Sequence, residues 1–200
     1  MTPTNPDRKI IGVRACFLQL VVMLALAFLI AALFGPKPLL AATEAGGSVA
    51  RQVSWGVAIG LAISVPAWIV VLNLQSLTAF KSQMLELANR IDLRGLNPLW
   101  IGLCAGVGEE VLCRGALQPL LGIWWTSLLF TLAHYRTGSF RSMNRTKWGY
   151  AGLVFLASML MGYVLIEFGL VAAAVSHSVV DVIGIVVLRS ESGRNMPRTV

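Results

Sequence analysis

From Ile11 to Leu188 the chain is a succession of apolar runs, five or six of which approach or exceed the ~20 residues needed to cross ~30 Å of hydrocarbon. That pattern leaves few folds open. In hydrocarbon every backbone N–H and C=O must be paired internally, so a spanning chain forms helices or a closed barrel. The alternating strands of a barrel are absent, and charged residues make up 12% of the 200 residues against roughly 25% in soluble domains. The mean hydropathy of +0.75 agrees. The expected fold is all-α: a polytopic membrane helix bundle of about six transmembrane helices plus an amphipathic interfacial helix.

The runs are punctuated by breakers. Segment one covers about Ile11 to Phe34 and is expected to be a retained span; Gly35-Pro36-Lys37-Pro38 stops it, and Ala45 to Ser48 extends the loop. Segment two runs from about Val53 to Leu74, with Pro66 expected as a kink rather than a break. From Gln75 to Asn97, charged residues interleave with Met84, Leu85, Leu87 and Ile91, which predicts the amphipathic surface helix. Segment three spans about Leu99 to Leu121, ended by Pro119 and Gly122. Segments four (Ile123 to Tyr135), five (Trp148 to Ile166) and six (Leu170 to Leu188) follow. The organisation is therefore read as residues 1–98, two transmembrane helices and the amphipathic connector; 99–188, a core carrying the chemistry; and 189–200, a polar tail.

A net charge of +7 does not point to nucleic acid, because the basic residues are scattered through loops rather than gathered on one face. Topology accounts for them better. With the N-terminus in the cytoplasm, Arg8, Lys9, the amphipathic segment, the Arg136 to Lys147 loop and the tail all fall inside, and only Lys37 and Arg51 fall outside. The expectation is an integral, multi-pass protein with both termini cytoplasmic. Cys16, Cys104 and Cys113 lie in apolar segments without disulfide or zinc spacing, and read as small core hydrophobes.

Ionisable groups at bilayer depth are costly, so each one has to be explained. Glu109 and Glu110 interrupt segment three, followed by Arg114. Residues four apart share a helix face, so Glu110 is the natural ion-pair partner of Arg114. An isolated pair of this kind serves equally well as a structural staple. Glu109 has Cys113 at its own i+4 position, which cannot neutralise a carboxylate, so it has to face a polar cavity or another helix. Both histidines of the chain, His134 and His177, lie in apolar segments, with Phe130 at i−4 from the first and Asp181 at i+4 from the second. The Asp181 spacing suits a carboxylate orienting an imidazole, or simply a helix-stabilising hydrogen bond. At 1.5 Å per residue these groups fall at similar depths, so one cavity in the cytoplasmic half is expected to collect them.

Glu109-Glu110-x-x-x-Arg114-Gly115, Phe130-x-x-x-His134 and His177-x-x-x-Asp181, in this order, resemble the three motifs of the CAAX protease and bacteriocin-processing (CPBP, Abi) family. That family comprises intramembrane endopeptidases and includes type II CAAX prenyl endopeptidases. The resemblance covers about Leu99 to Leu188. It implies hydrolysis of a peptide bond near the cytoplasmic membrane face, with Glu109 and His134 activating a water and His177 and Asp181 stabilising the oxyanion. Glu110, Arg114 and Phe130 would be supporting. The third motif often ends in asparagine; an ionised Asp181 repels an oxyanion, so it would orient His177 instead, or stay protonated and donate. The implied partner is a membrane-associated peptide or protein substrate, prenylated or not, in the lipid bilayer.

No metal is the preferred reading. The alternative is Zn2+ held by Glu109, His134 and His177 with an open position for water, since the family has also been described as metalloproteases. A reading of a different class is a non-enzymatic membrane protein, such as a peptide-immunity factor, a scaffold or a pseudoprotease that keeps the motifs for structure.

Overall fold

The structure is a computed structural model that describes residues 11–35, 37–134 and 145–194. Helix α1 (Val13–Phe34) is followed by a short helix α2 (Lys37–Glu44), α3 (Val49–Asn73), a 3₁₀ turn (Gln75–Leu77) and α4 (Thr78–Ala88). Then come α5 (Asn97–Glu110), a π-helical turn (Val111–Leu117), α6 (Gln118–His134), α7 (Arg145–Phe168) and α8 (Leu170–Arg194). The described residues form no strand, only an isolated parallel bridge between Ile11 and Ile91. The expected polytopic all-α bundle is what the chain forms. The charges at Arg8, Lys9 and most of the Arg136 to Lys147 loop, the end of segment four at Tyr135 and the last residues of the tail lie outside the described residues.

Among the described residues, five helical runs are long and apolar enough to cross a membrane, and the third is the continuous 38-residue stretch Asn97–His134. The two spans read from the sequence as segments three and four fall in this one run. It cannot be straight. Gly122 takes φ 76 and ψ 170 inside it, a conformation that side chains rarely adopt, and the chain turns back there. The proof lies across the turn: Arg114, eight residues before Gly122, has its guanidinium carbon 5.8 Å from the ring centre of Phe130, eight residues after it. From Ile123 to His134, the last described residue of this limb, the returning helix rises about 18 Å. Pro119, read as part of the stop, sits instead at the junction of the π-helical turn with α6, inside the continuous helical run.

Three other boundaries differ from the sequence reading. The Gly35 to Ser48 loop contains α2, whose Leu39 and Ala42 pack on Leu165, Leu170 and Val111. Helix α3 starts at Val49, from the Ser48 N-cap, rather than near Val53, and as expected Pro66 does not break it. The amphipathic helix ends at Ala88 rather than near Asn97, because Asp92 takes up the local donors. Its carboxylate accepts from the Arg94 N–H, Nε and Nη2, and these bonds hold its pKa down at about 2.

Helix α8 is the axis of the bundle, packed between α3 and α5. Small residues allow it. A Cβ on Gly60 would stand 2.6 Å from the Val179 Cβ, and one on Gly106 would stand 2.2 Å from the Ser178 hydroxyl. Backbones pressed this close gain dispersion contact where no hydrophobic effect operates between helices. Gly60→Val is therefore expected to lower the unfolding free energy by about 1–3 kcal/mol through overpacking, read by denaturation in bicelles.

The polarity of the bundle is turned inside out. The largest fully buried side chains are Arg114, Gln52 and Glu110, whereas Leu18, Phe28 and Leu33 of α1 are exposed, as suits contact with lipid. Gln52 closes one end. Its Nε2 donates to the Thr43 and Gly47 carbonyls and its Oε1 accepts from the Val171 N–H, tying the α2–α3 loop to the α7–α8 turn. At the other end, Lys81 of α4 pairs with Glu191 of α8, and Arg189 donates to the Leu93 and Gly95 carbonyls. Residue Ile11 pairs there too, so both described ends of the chain share one face.

Candidate active site

Two one-residue turns, Gly122 and Gly169 (φ 89), lie on the face opposite the chain ends and act as a common zero for depth. Counting back from them, Glu110 and His134 are each twelve residues from Gly122, and Asp181 is twelve from Gly169. The equal counts place these three groups at similar depths below the turns, with the π-helical Val111–Leu117 on the way to Glu110 and Glu109 one residue further. His177 and Arg114 lie about a turn above them.

Glu110 is the hub. Its Oε2 accepts from Arg114 Nε at 3.1 Å and its Oε1 accepts from His177 Nδ1 at 2.8 Å, with the pair's side chains fully buried. Arg114 Nη2 donates to the Ser158 hydroxyl at 2.6 Å, and its guanidinium faces the Phe130 ring. The π-helical turn beginning just after Glu110 carries Arg114. Such turns, rare elsewhere, occur often at functional sites. Sequence spacing gave Glu110 to Arg114; it did not reveal that the same carboxylate crosses to α8.

Asp181 faces His177, as the i, i+4 spacing offered, and Glu110 adds a second hold: it bonds the ring nitrogen Nδ1, while Asp181 Oδ2 stands 3.6 Å from Nε2. Glu109 Oε2 approaches the same Nε2 at 3.8 Å. One imidazole edge thus faces two carboxylates from two helices while the other edge is fixed by a third. The other oxygen of Glu109 accepts a hydrogen bond of 3.4 Å from Gln19 of α1.

His134 donates from Nδ1 to the Phe130 carbonyl at 2.9 Å, which leaves Nε2 as the acceptor nitrogen of the neutral ring. The Phe130 ring lies tilted against His134, with ring centres 4.4 Å apart, and meets the His177 ring edge-on at 6.3 Å, so it touches both imidazoles. His134 lies within electrostatic range of both Glu109 and Asp181.

A cavity of about 180 Å³ opens among these groups. Glu110, Arg114, Phe130, His134, His177 and Asp181 line it on one side. Tyr150, Val154, Ala157, Ser158 and Met161 line it from one face of α7, at helical spacing. Glu109 is not among the lining residues; it reaches the site along the Nε2 edge of His177, from the α1 side. Among the described residues, no group of three or more His, Cys, Asp and Glu side chains is placed to hold a metal ion, and the set Glu109, His134 and His177 is not gathered as ligands. The three cysteines are buried and free.

Sequence reasoning missed Ser158, Tyr150 and Gln19. The first two are ordinary residues in an apolar helix, and only their shared face with Val154 and Met161 marks them. Gln19 carried a legible signal, as a lone amide in an otherwise apolar span.

Residues 94–183 match the family model described as type II CAAX prenyl endopeptidase Rce1-like, and the resemblance carried by the three motifs is borne out over that segment. No curated protein and no solved structure matches the chain. The family is one of membrane proteases, and the five apolar helical runs are those of an integral membrane protein.

Proposed function

We propose that the protein is an intramembrane endopeptidase that cleaves a membrane-held peptide near the cytoplasmic face, with residues 99–188 as its catalytic core and both termini cytoplasmic. The observation that carries this reading is the His177 ring, fixed at Nδ1 by buried Glu110 and flanked at Nε2 by Glu109 and Asp181. A structural staple requires only Glu110 and Arg114. It does not call for two further carboxylates and a second imidazole at the same depth, where each adds desolvation cost.

In this mechanism Glu109 takes a proton from a water as that water attacks the scissile carbonyl, and His134, presenting Nε2, holds and orients the water. Charge then develops on the carbonyl oxygen, and as the tetrahedral intermediate collapses and the C–N bond breaks, Glu109 returns its proton to the leaving amine. With Nδ1 donating to Glu110, His177 offers Nε2–H to that oxygen when the ring carries both protons, and Arg114 fixes the Glu110 carboxylate behind it. Asp181 acts on the His177 edge it faces. The apolar α7 side of the cavity, Val154, Ala157 and Met161, accepts an aliphatic side chain of the peptide. The substrate is a peptide or protein anchored at the membrane, with or without a prenyl group.

The test is cleavage of membrane-anchored peptides by the purified protein in proteoliposomes, read by mass spectrometry. His134→Ala is expected to lower the rate roughly a hundredfold without loss of the helical signal. Undiminished cleavage by His134→Ala removes the His134 role, and no cleavage of any anchored peptide by the wild type leaves the scaffold reading in its place.

A further inference from the structure

The segment that matches a protease family begins at residue 94, yet the oxygen of Glu109 that turns away from His177 is held from outside it. Helix α1 is apolar throughout, and after Arg14 in its first turn it carries one side chain with a charge, an amide or a hydroxyl: Gln19. An amide in hydrocarbon is costly unless it is bonded. Here its Nε2 donates to Glu109 Oε1, with Met23 Sδ at 3.9 Å as a weaker second acceptor.

The crossing of the two helices is built at the same point. Gly108 precedes Glu109, and a Cβ there would stand 3.2 Å from both the Leu20 Cδ1 and the Met23 Sδ. A side chain at position 108 would press on Leu20 and Met23, so the glycine eases the close approach of α1 that brings Gln19 to the carboxylate. The lone amide of one helix and the tight glycine contact of the other are independent observations that meet at Glu109.

We infer that Gln19 is a positioning residue for Glu109: it anchors Oε1 so that Oε2 is presented to His177 and the reacting water. The groups facing Glu109 explain why an amide suits this place. His177 and Asp181 of α8, His134 of α6 and Glu110 of its own helix all act on it electrostatically. A lysine at position 19 would bind the carboxylate as an ion pair and blunt it as a base. A neutral donor fixes the direction of the group and leaves its charge for the water. A carboxylate held at one oxygen also loses rotational freedom, so its second oxygen meets the water without searching. This inference rests on the role proposed above for Glu109, and it places α1 within the catalytic constellation.

The test uses the full chain in liposomes as wild type, Gln19→Met, Gln19→Leu, Glu109→Gln and the double variant Gln19→Met with Glu109→Gln. Methionine keeps the length and leucine the apolar character of a lipid-facing helix, so two insertions that differ in shape report on one lost bond. The carboxylate stretch of Glu109 is located in the infrared as the band that Glu109→Gln removes. Gln19→Met is expected to shift that band, with no change when glutamine already stands at position 109. It is also expected to lower kcat for peptide cleavage roughly ten- to a hundredfold with KM within about twofold. An unshifted band in both Gln19 variants, or an unchanged kcat, overturns the inference while inactive Glu109→Gln keeps the protease reading intact. Full activity in Glu109→Gln overturns both, since no base is then left to position.

Discussion

Glu109→Gln abolishes most cleavage in the proposed mechanism, by a factor between about 10² and 10⁴, the range that a positioned general base contributes. The replacement keeps the shape of the side chain and an oxygen for Gln19 to donate to, so the fold is not the casualty. The stability change should be small. Removing the charge relieves its desolvation cost and the repulsion of Asp181 and Glu110, and gives up the attraction of His177 and His134. Measured together, a collapsed kcat with an unchanged or raised melting temperature in detergent separates a catalytic carboxylate from a structural one. A variant that unfolds early while its surviving fraction still cleaves would show that Glu109 holds helices together and does no chemistry.

The opposite signature is expected at Arg114. Its replacement by methionine leaves Glu110 fully buried with only His177 as a partner and strips Ser158 of its donor. Removing one partner of a buried pair strands the other charge, a loss of about 3–5 kcal/mol. Unfolding in bicelles should show it directly, and adding Glu110→Gln should recover a substantial part, because the stranded charge goes with it. If Arg114→Met is as stable as wild type, Glu110 is not the buried carboxylate that the bundle is built around. Cleavage should fall as well, but through the loosened His177 ring rather than through any contact of Arg114 with substrate.

What was legible in the sequence was what depends on local spacing and on the hydrocarbon solvent. The apolar runs fixed the helical bundle, the i, i+4 rule paired Glu110 with Arg114, and the three ordered motifs brought Glu109, His134, His177 and Asp181 into one region. The Gly122 breaker also marked the reversal that returns His134 to the depth of the glutamates. What was not legible depends on rotation. Helical spacing offered Asp181 as a partner of His177, because a neighbour on the same helix is visible in one dimension. Glu110, which holds the other ring nitrogen, comes from another helix sixty-seven residues away. Gln19 was passed over because a single polar residue in an apolar span has no periodicity to reveal its target.

The Gln52 knot has a mechanical consequence. A Cβ on Gly46 would lie 2.0 Å from the Phe168 carbonyl and one on Gly169 would lie 1.9 Å from the Ala45 carbonyl, so the two loops at that end are locked backbone to backbone as well as by three hydrogen bonds. At the other end the helices are joined by the Lys81–Glu191 pair and the Arg189 contacts, which side chains can make and release. The bundle is thus riveted backbone to backbone at one end and only laced by side chains at the other, so under the proposed function the laced end is the one expected to give when a peptide is admitted.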